Sequence, residues 1–531
     1  MNTFCITDQD VEDQLRNINP SKPPGPDDIS PHILKNIIPS IIKPLTKLFN
    51  SSLSNKQLPH VWKVSNITPV YKNKGNPEEP GNYRPIALTS ILCKIMEKII
   101  FKYLYNYLLE HNLLSKNQSG FQPRDSTVNQ LLEIYNTIIS NLDQGKDVRF
   151  IFCDISKAFD KVWHKGLLYK LKQNGIYGNI LDWIENYLTD REQKVLLEGY
   201  SSTKQCINAG VTQGSILGPF LFLVYINDIT LNLENQIRLF ADDTSLFVIV
   251  DSDTKGPVIS LTNDLEKIKK WSTQWLVEFN PNKTVNVNFT RSDKSHPDIS
   301  FGHTINYIDC KQNHCHLGLT LQSNACWSEH ITNIFDKACQ RLNVLRTLKY
   351  KLNRESLTKI YISFIRPILE YGDVVWDNCT QEQSNLLESV QIEAGRIITG
   401  LRRTSSRQNL YNELGWETLS DRRKKHKVTL MYKILNNYTP KYLYDMVEQC
   451  LPVSHNYSLR NNNLFHIPIT RTVAYYNSFL PSTVKLWNTL PNSLKSATSI
   501  AKFKQGLQNN NLVDKIKSKL YNHEQRIVNT L

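Results

Sequence analysis

At 531 residues the chain is too long for one compact core, so two to four subdomains are expected. Its 40% hydrophobic and 21% charged residues are ordinary for a globular protein, and a formal charge of +14 points to a polyanionic partner. No apolar run approaches the roughly 20 residues that cross a bilayer, and ten Cys without a CxxC pair exclude a disulfide framework or a zinc ribbon, which fits reduced thiols inside a cell.

In chain order, Asp8, Asp10, Glu12 and Asp13 make the N-terminus unlike a signal peptide. Residues 85 to 110 set Leu92, Ile95, Met96, Ile99, Ile100, Tyr103 and Leu104 on one helical face. The apolar run 148–153 reads as a strand that ends on Asp154. Gly210-Val211-Thr212-Gln213-Gly214-Ser215-Ile216-Leu217-Gly218-Pro219 is a Gly-rich loop whose Gly210, Gly214 and Gly218 permit close approach to a flat or charged ligand. The apolar run 220–226 after it reads as a buried helix. Two apolar runs, 236–240 and 245–250, flank Ala241-Asp242-Asp243, the pattern of a β-hairpin with acids at its tight turn.

A second helical stripe, Leu261, Leu265, Ile268, Trp271 and Trp275, is assigned to core and not to base stacking. Cys310, His314, Cys315 and His316 are spaced too tightly for a tetrahedral site from one segment, and Leu317 to Leu321 reads as a strand. Ile331 to Leu345 marks one helix; Leu357 to Ile365 marks another, stopped by Pro367. Arg402, Arg403, Arg407 and the run Arg422-Arg423-Lys424-Lys425-His426-Lys427 fit a solvated helix face, a nuclear-import signal or template contact equally well. Pro, Asn and Ser become frequent from Cys450, which sets a boundary, yet Phe465, Tyr475, Tyr476, Phe479, Leu486, Trp487 and Phe503 leave enough apolar material to pack. No internal repeat or low-complexity tract is present.

Asp154 at one strand end and Asp242 and Asp243 at a facing turn, about 90 residues on, would repel one another in a partly dry site; divalent cations relieve that repulsion. Three carboxylates suffice for two Mg²⁺ about 4 Å apart, the arrangement for in-line nucleotidyl transfer; Mn²⁺ is the alternative ion.

These residues resemble the reverse transcriptases of non-LTR (LINE-type, jockey-like) retrotransposons. Phe152-Cys153-Asp154-Ile155-Ser156-Lys157-Ala158-Phe159-Asp160 is similar to the first palm motif. The Gly-rich loop through Asp228 is similar to the second, Phe240-Ala241-Asp242-Asp243-Thr244 to the third, and Asn280-Pro281-Asn282-Lys283-Thr284 to the fourth, a loop and strand carrying a lysine. Lys22-Pro23-Pro24-Gly25-Pro26-Asp27-Asp28, Asn82-Tyr83-Arg84-Pro85 and Gly120-Phe121-Gln122-Pro123-Arg124 resemble finger segments. Thr212 stands where the family usually has Pro. Gln122 stands where many members have Arg, which weakens a triphosphate contact that Arg124 would replace.

The resemblance implies an α+β right-hand polymerase: fingers, a palm with an antiparallel sheet, a thumb, and a mostly α-helical C-terminal region. Residues 1–52 would be an N-terminal finger extension, 53–322 fingers and palm, 323–450 a thumb-like region and 451–531 a C-terminal region. Asp154, Asp242 and Asp243 would be catalytic and bind the metals, with the Ile155 backbone as a further ligand and Asp243 the more peripheral acid. Phe159, Gln213, Gly214, Arg84, Arg124 and Lys283 would contact the nucleotide; Lys283 either protonates the leaving pyrophosphate or closes a loop. The Phe159 ring, five residues past Asp154, would press on C2′ and exclude a ribose.

RNA template, DNA primer and dNTPs are the implied partners, with no membrane and no implied oligomeric state. The nucleus or cytoplasm is the expected location. The family's N-terminal endonuclease domain is missing from this sequence, so polymerisation without intrinsic DNA cutting is expected. The rival readings are a viral-type RNA-copying RNA polymerase and a catalytically inactive or truncated remnant that binds RNA.

Overall fold

The computed structural model describes residues 1–73, 75–251, 255–280, 282–291, 299, 308–402, 404–452 and 464–509. The expected site segment residue Pro281 and the basic residue Arg403 lie outside them. Twelve strands are described in chain order: β1 (Val64–Tyr71), β2 (Tyr83–Leu88), β3 (Asp147–Cys153), β4 (Arg191–Leu197), β5 (Tyr200–Ser201), β6 (Gln205–Ile207), β7 (Gln236–Phe240), β8 (Asp243–Val250), β9 (Val285–Phe289), β10 (Asp309–Cys310), β11 (Asn313–His316) and β12 (Leu319–Gln322). They form a finger sheet, β2-β1-β4-β5 with β6 on β4, and a palm sheet, β10-β9-β3-β8-β7. Every palm pairing is antiparallel except β10 with β9.

The almost continuous apolar run of β3 has a physical cause: the palm sheet is covered on both faces. Side chains alternate across a strand. Val148, Phe150 and Phe152 enter one core, while Ile151 and Cys153 enter a second. The first core joins Phe247, Val287 and Phe289 to Trp327, Trp376, Met431, Trp487 and Phe503 of the helices beyond residue 323. One core therefore runs from the palm sheet across residues 323 and 451. The second core holds the fingers, the N-terminal helices and the buried Leu217–Ile226 helix.

Local details differ from expectation in three places. Residues 85–88 belong to β2, held by pairing with β1, so the amphipathic helix begins at Ile91, capped by Ser90. Pro367 does not stop its helix. A π-turn over Tyr361–Ile365 lets the chain resume as Arg366–Glu370 with the proline in the first turn, where its missing N–H costs nothing. Leu317 and Gly318, with φ of +46° and +90°, form the turn between β11 and β12, so that segment is a hairpin and not one strand.

Trp271 and Trp275 do serve the interior, together with a cation. The Lys170 ammonium lies 4.9 and 3.9 Å from their ring centroids and 2.6 Å from Asp228. Burial pushes that lysine down to about 8. His314 stacks on Phe152 at 4.3 Å, and burial pushes it down to about 4, so a neutral ring packs here.

Candidate active site

The register of two hairpins brings the acids together. Cys153 pairs with Thr244 across β3 and β8, so Asp154, the next residue, leaves β3 at the level of Asp243. Phe240 pairs with Asp243, which leaves Ala241 and Asp242 as a two-residue turn. Ala241 takes φ +56°, as such a tight turn requires. Asp242 and Asp243 are each pushed up by burial and then by neighbouring carboxylates, Asp154 for both and Asp242 for its neighbour; Asp243 reaches about 6. The nearest cation is Lys283, whose Nζ lies 3.1 Å from Asp154 Oδ2. Among the described residues, Lys283 is the one cation paired with any of these three acids.

Backbone bonds lock this cluster. The Asp154 carbonyl accepts from Asn280 N–H (2.8 Å) and Ser156 N–H donates to the Glu278 carbonyl (2.8 Å), tying the strand end to the loop that carries Lys283. Ile155 bridges to Phe279. On the other side, Ser119 N–H donates to the Leu239 carbonyl, and Gln118 Oε1 accepts from both Gly120 N–H (2.7 Å) and Ala241 N–H (2.9 Å). A Cβ at Gly120 would fall 2.2 Å from the Ala241 nitrogen, so this segment closes on the acid turn only with glycine.

The Gly-rich loop is laced to the first motif. Val211 N–H donates to the Phe159 carbonyl (2.7 Å), Gly210 N–H to the Val162 carbonyl (2.9 Å), and Gln213 Nε2 to Asp160 Oδ1 (3.0 Å). The three glycines make close approaches to the chain's own backbone. Cβ atoms at 210, 214 and 218 would meet Asp160 O, Ala87 O and Thr212 O at 2.6, 2.4 and 2.6 Å. Gly214 keeps an exposed surface beside Gln213. Glu97, fully buried, accepts from Ile216 and Leu217 N–H and so anchors the loop to the start of the following helix.

Phe159 is half-buried, stacks on Phe222 with centroids 4.8 Å apart, and meets Phe121 edge-on. Arg84 is exposed on β2. Arg124 instead donates to the Asn437 carbonyl at 3.3 Å, and Gln122 accepts from Tyr105, so neither side chain is drawn to the acid turn.

The basic run 422–427 has structural partners. Arg423 and Lys427 are buried and share Asp377 at 2.6 Å each; Arg422 pairs with Glu370, Lys425 with Glu417, and His426 bonds to Asp373. None of the three surface or nucleic-acid readings describes Arg423 and Lys427.

Gln118 and Glu97 escaped the sequence reading. Glu97 left a signal, a carboxylate set among the apolar Ile95, Met96, Ile99 and Ile100, which marks a buried polar group with a partner. Gln118 left none, since its partner is more than 100 residues away.

The donor chemistry fits hard divalent cations: three carboxylates, two of them driven toward protonation by burial and mutual repulsion. Among the described residues, no three acidic, His or Cys side chains already close on a common point.

Residues 71–321 match the family model "Reverse transcriptase (RNA-dependent DNA polymerase)". The chain is 29% identical over 407 residues to the RNA-directed DNA polymerase from mobile element jockey of Drosophila melanogaster, covering 75% of this chain and 44% of that one. It is 28% identical over 435 residues to the probable RNA-directed DNA polymerase from transposon BS of the same organism, covering 79% and 47%. It thus spans less than half the length of these relatives. Among solved structures, apo telomerase from Candida Tropicalis, truncated from the C-terminal domain, overlaps 54% of this chain and 59% of that chain at 13% identity, with a TM-score of 0.34. Among the described residues no helix is long and apolar enough to cross a membrane. Over residues 71–321 the chain is thus similar to the reverse transcriptase family, and over most of its length to the RNA-directed DNA polymerases of mobile elements such as jockey.

Proposed function

We propose that this chain copies RNA into DNA by adding deoxynucleotides to a primer 3′-hydroxyl, with Asp154, Asp242 and Asp243 as the catalytic acids. The observation that carries the reading is the charge imbalance at the β3 end and the β7–β8 turn: three carboxylates that strand register sets beside one another and, among the described residues, one lysine paired with them. Asp154 and Asp242 would each hold two Mg²⁺, with Asp243 more peripheral; Mn²⁺ is the substitute. When bound, the ions supply Lewis-acid activation of the hydroxyl and neutralise the triphosphate.

The protein's own groups do the rest. Phe159 walls the sugar side of the pocket, and its contact with C2′ favours deoxynucleotides. Gln213, oriented by Asp160, and the exposed Gly214 backbone line the nucleotide's base side. Arg84 is free to meet the triphosphate, a role that its exposure on β2 supports and that the Asn437 contact makes secondary for Arg124. Lys283, on Asp154, is positioned to release its contact and give a proton to the departing pyrophosphate. The partners are therefore an RNA template, a DNA primer and dNTPs.

The test is extension of a DNA primer on an RNA template with Mg²⁺, offering dNTPs or NTPs, for the parent and Asp242→Asn. Extension with dNTPs by the parent alone supports the proposal. RNA binding without extension would leave a template-binding remnant, and preferential use of NTPs would mark an RNA polymerase.

A further inference from the structure

We infer that Phe121 is a specificity-determining residue of the nucleotide pocket: its ring braces Phe159 and so sets how strongly the site rejects a ribose. The inference rests on the polymerase reading above and deepens it. Phe121 is 49% exposed, so core burial does not explain an aromatic ring there. Its φ is +57°, a conformation that bulky residues rarely adopt, and a disfavoured backbone at a solvent-facing aromatic is kept where the site needs it.

Its two ends are tied to the chemistry. Immediately before it, Gly120 lies against the Ala241 nitrogen, and Gln118 holds the N–H groups of both Gly120 and Ala241. The segment that fixes the acid turn therefore also presents Phe121. Its ring meets Phe159 with centroids 6.0 Å apart and planes at 84°, the edge-to-face geometry that aromatic quadrupoles favour. Phe159 is in turn stacked on Phe222 at 4.8 Å and 21°.

A ring excludes a 2′-hydroxyl only if it cannot swing away. Phe222 holds Phe159 through a stacking contact, along which rings slide; Phe121 adds a contact at a right angle, which opposes that slide. The two rings together hold the gate in place.

The test is the ratio of ribonucleotide to deoxynucleotide incorporation by the full chain on one RNA template. Phe121→Ala is expected to raise that ratio about three- to tenfold, the range an edge-to-face pair supports, with an unchanged melting temperature because the side chain is half in solvent. Phe121→Leu, which keeps bulk without the ring, is expected to fall between. Phe159→Ala should raise the ratio further, and adding Phe121→Ala to it should change nothing more. If Phe159→Ala shifts the ratio while both Phe121 variants stay within about twofold of the parent, the bracing role is overturned and the polymerase reading stands. If Phe159→Ala leaves the ratio unchanged, the gate itself is wrong. A parent that extends no primer overturns the polymerase reading and the brace with it.

Discussion

Two clusters of charge in this chain are built to opposite ends. At Asp377 the protein buries one carboxylate and closes two cations on it, Arg423 and Lys427. Burial pushes that acid up, but the two cations outweigh it and hold the carboxyl below its ordinary range. At the β7–β8 turn the protein crowds three acids and supplies one exposed lysine, and there burial and repulsion win. The first cluster has more than enough cation to balance its acid, and it joins helices. The second carries more negative charge than the lysine paired with it offsets. Basic runs and acidic pairs look alike in a sequence; the count of opposite charges within reach separates structural from chemical use.

Asp242→Asn carries the largest expected effect. It should lower primer extension by about 10³-fold or more, the scale of losing a preorganised electrostatic group, with an unchanged circular dichroism spectrum. A variant that keeps a tenth of the parent rate would break the contrast.

Asp377→Asn should do the reverse. Two buried cations would lose their counter-charge, at a cost of about 3–5 kcal/mol in urea unfolding, while the folded protein still extends primers at low temperature. Loss of activity without loss of stability would move this cluster into the site.

pH sharpens the comparison, because the two acids have opposite signs. The raised Asp243 carboxyl contributes stability that is fully present below its unfolded value near 4 and lost as pH rises through about 6. In EDTA, Asp243→Asn should match the parent at acid pH and exceed it by about 2–3 kcal/mol at pH 8, and Mg²⁺ should narrow that gap. Asp377 is depressed, so its contribution is present above the unfolded value and disappears as pH falls through the folded one. The deficit of Asp377→Asn should therefore shrink in acid. Parallel pH slopes for the two variants would refute the distinction.

The smallest effect belongs to Gln118→Leu. Removing the amide leaves Gly120 and Ala241 N–H groups unpartnered, at about 1–2 kcal/mol, and extension should slow by roughly five- to twentyfold. A parent-like rate would mean that the turn holds its shape alone.

Much of this was legible because it is local. The β7–β8 hairpin, the strand that ends at Asp154 and the buried Leu217–Ile226 helix each announce themselves in apolar periodicity over a few residues. The misread positions are those where neighbours override the local pattern. Residues 85–88 adjoin the helical stripe that starts at Leu92 but find a strand partner in β1. Gly210, Gly214 and Gly218 do permit close approach, yet the surfaces that arrive are Asp160, Thr212 and Ala87 backbone. Arg124 also finds a partner that its neighbours in sequence do not announce, the Asn437 carbonyl.

By itself the sequence determined most kinds of element, their order and which three aspartates are the candidate acids, because periodicity and residue type act over short spans. Only the tertiary structure decided which charges meet. Asp154 faces Asp243 through strand register; Asp377 meets Lys427 through helix packing. Such contacts join residues many positions apart, and Coulomb energies fall off with distance in space and not along the chain.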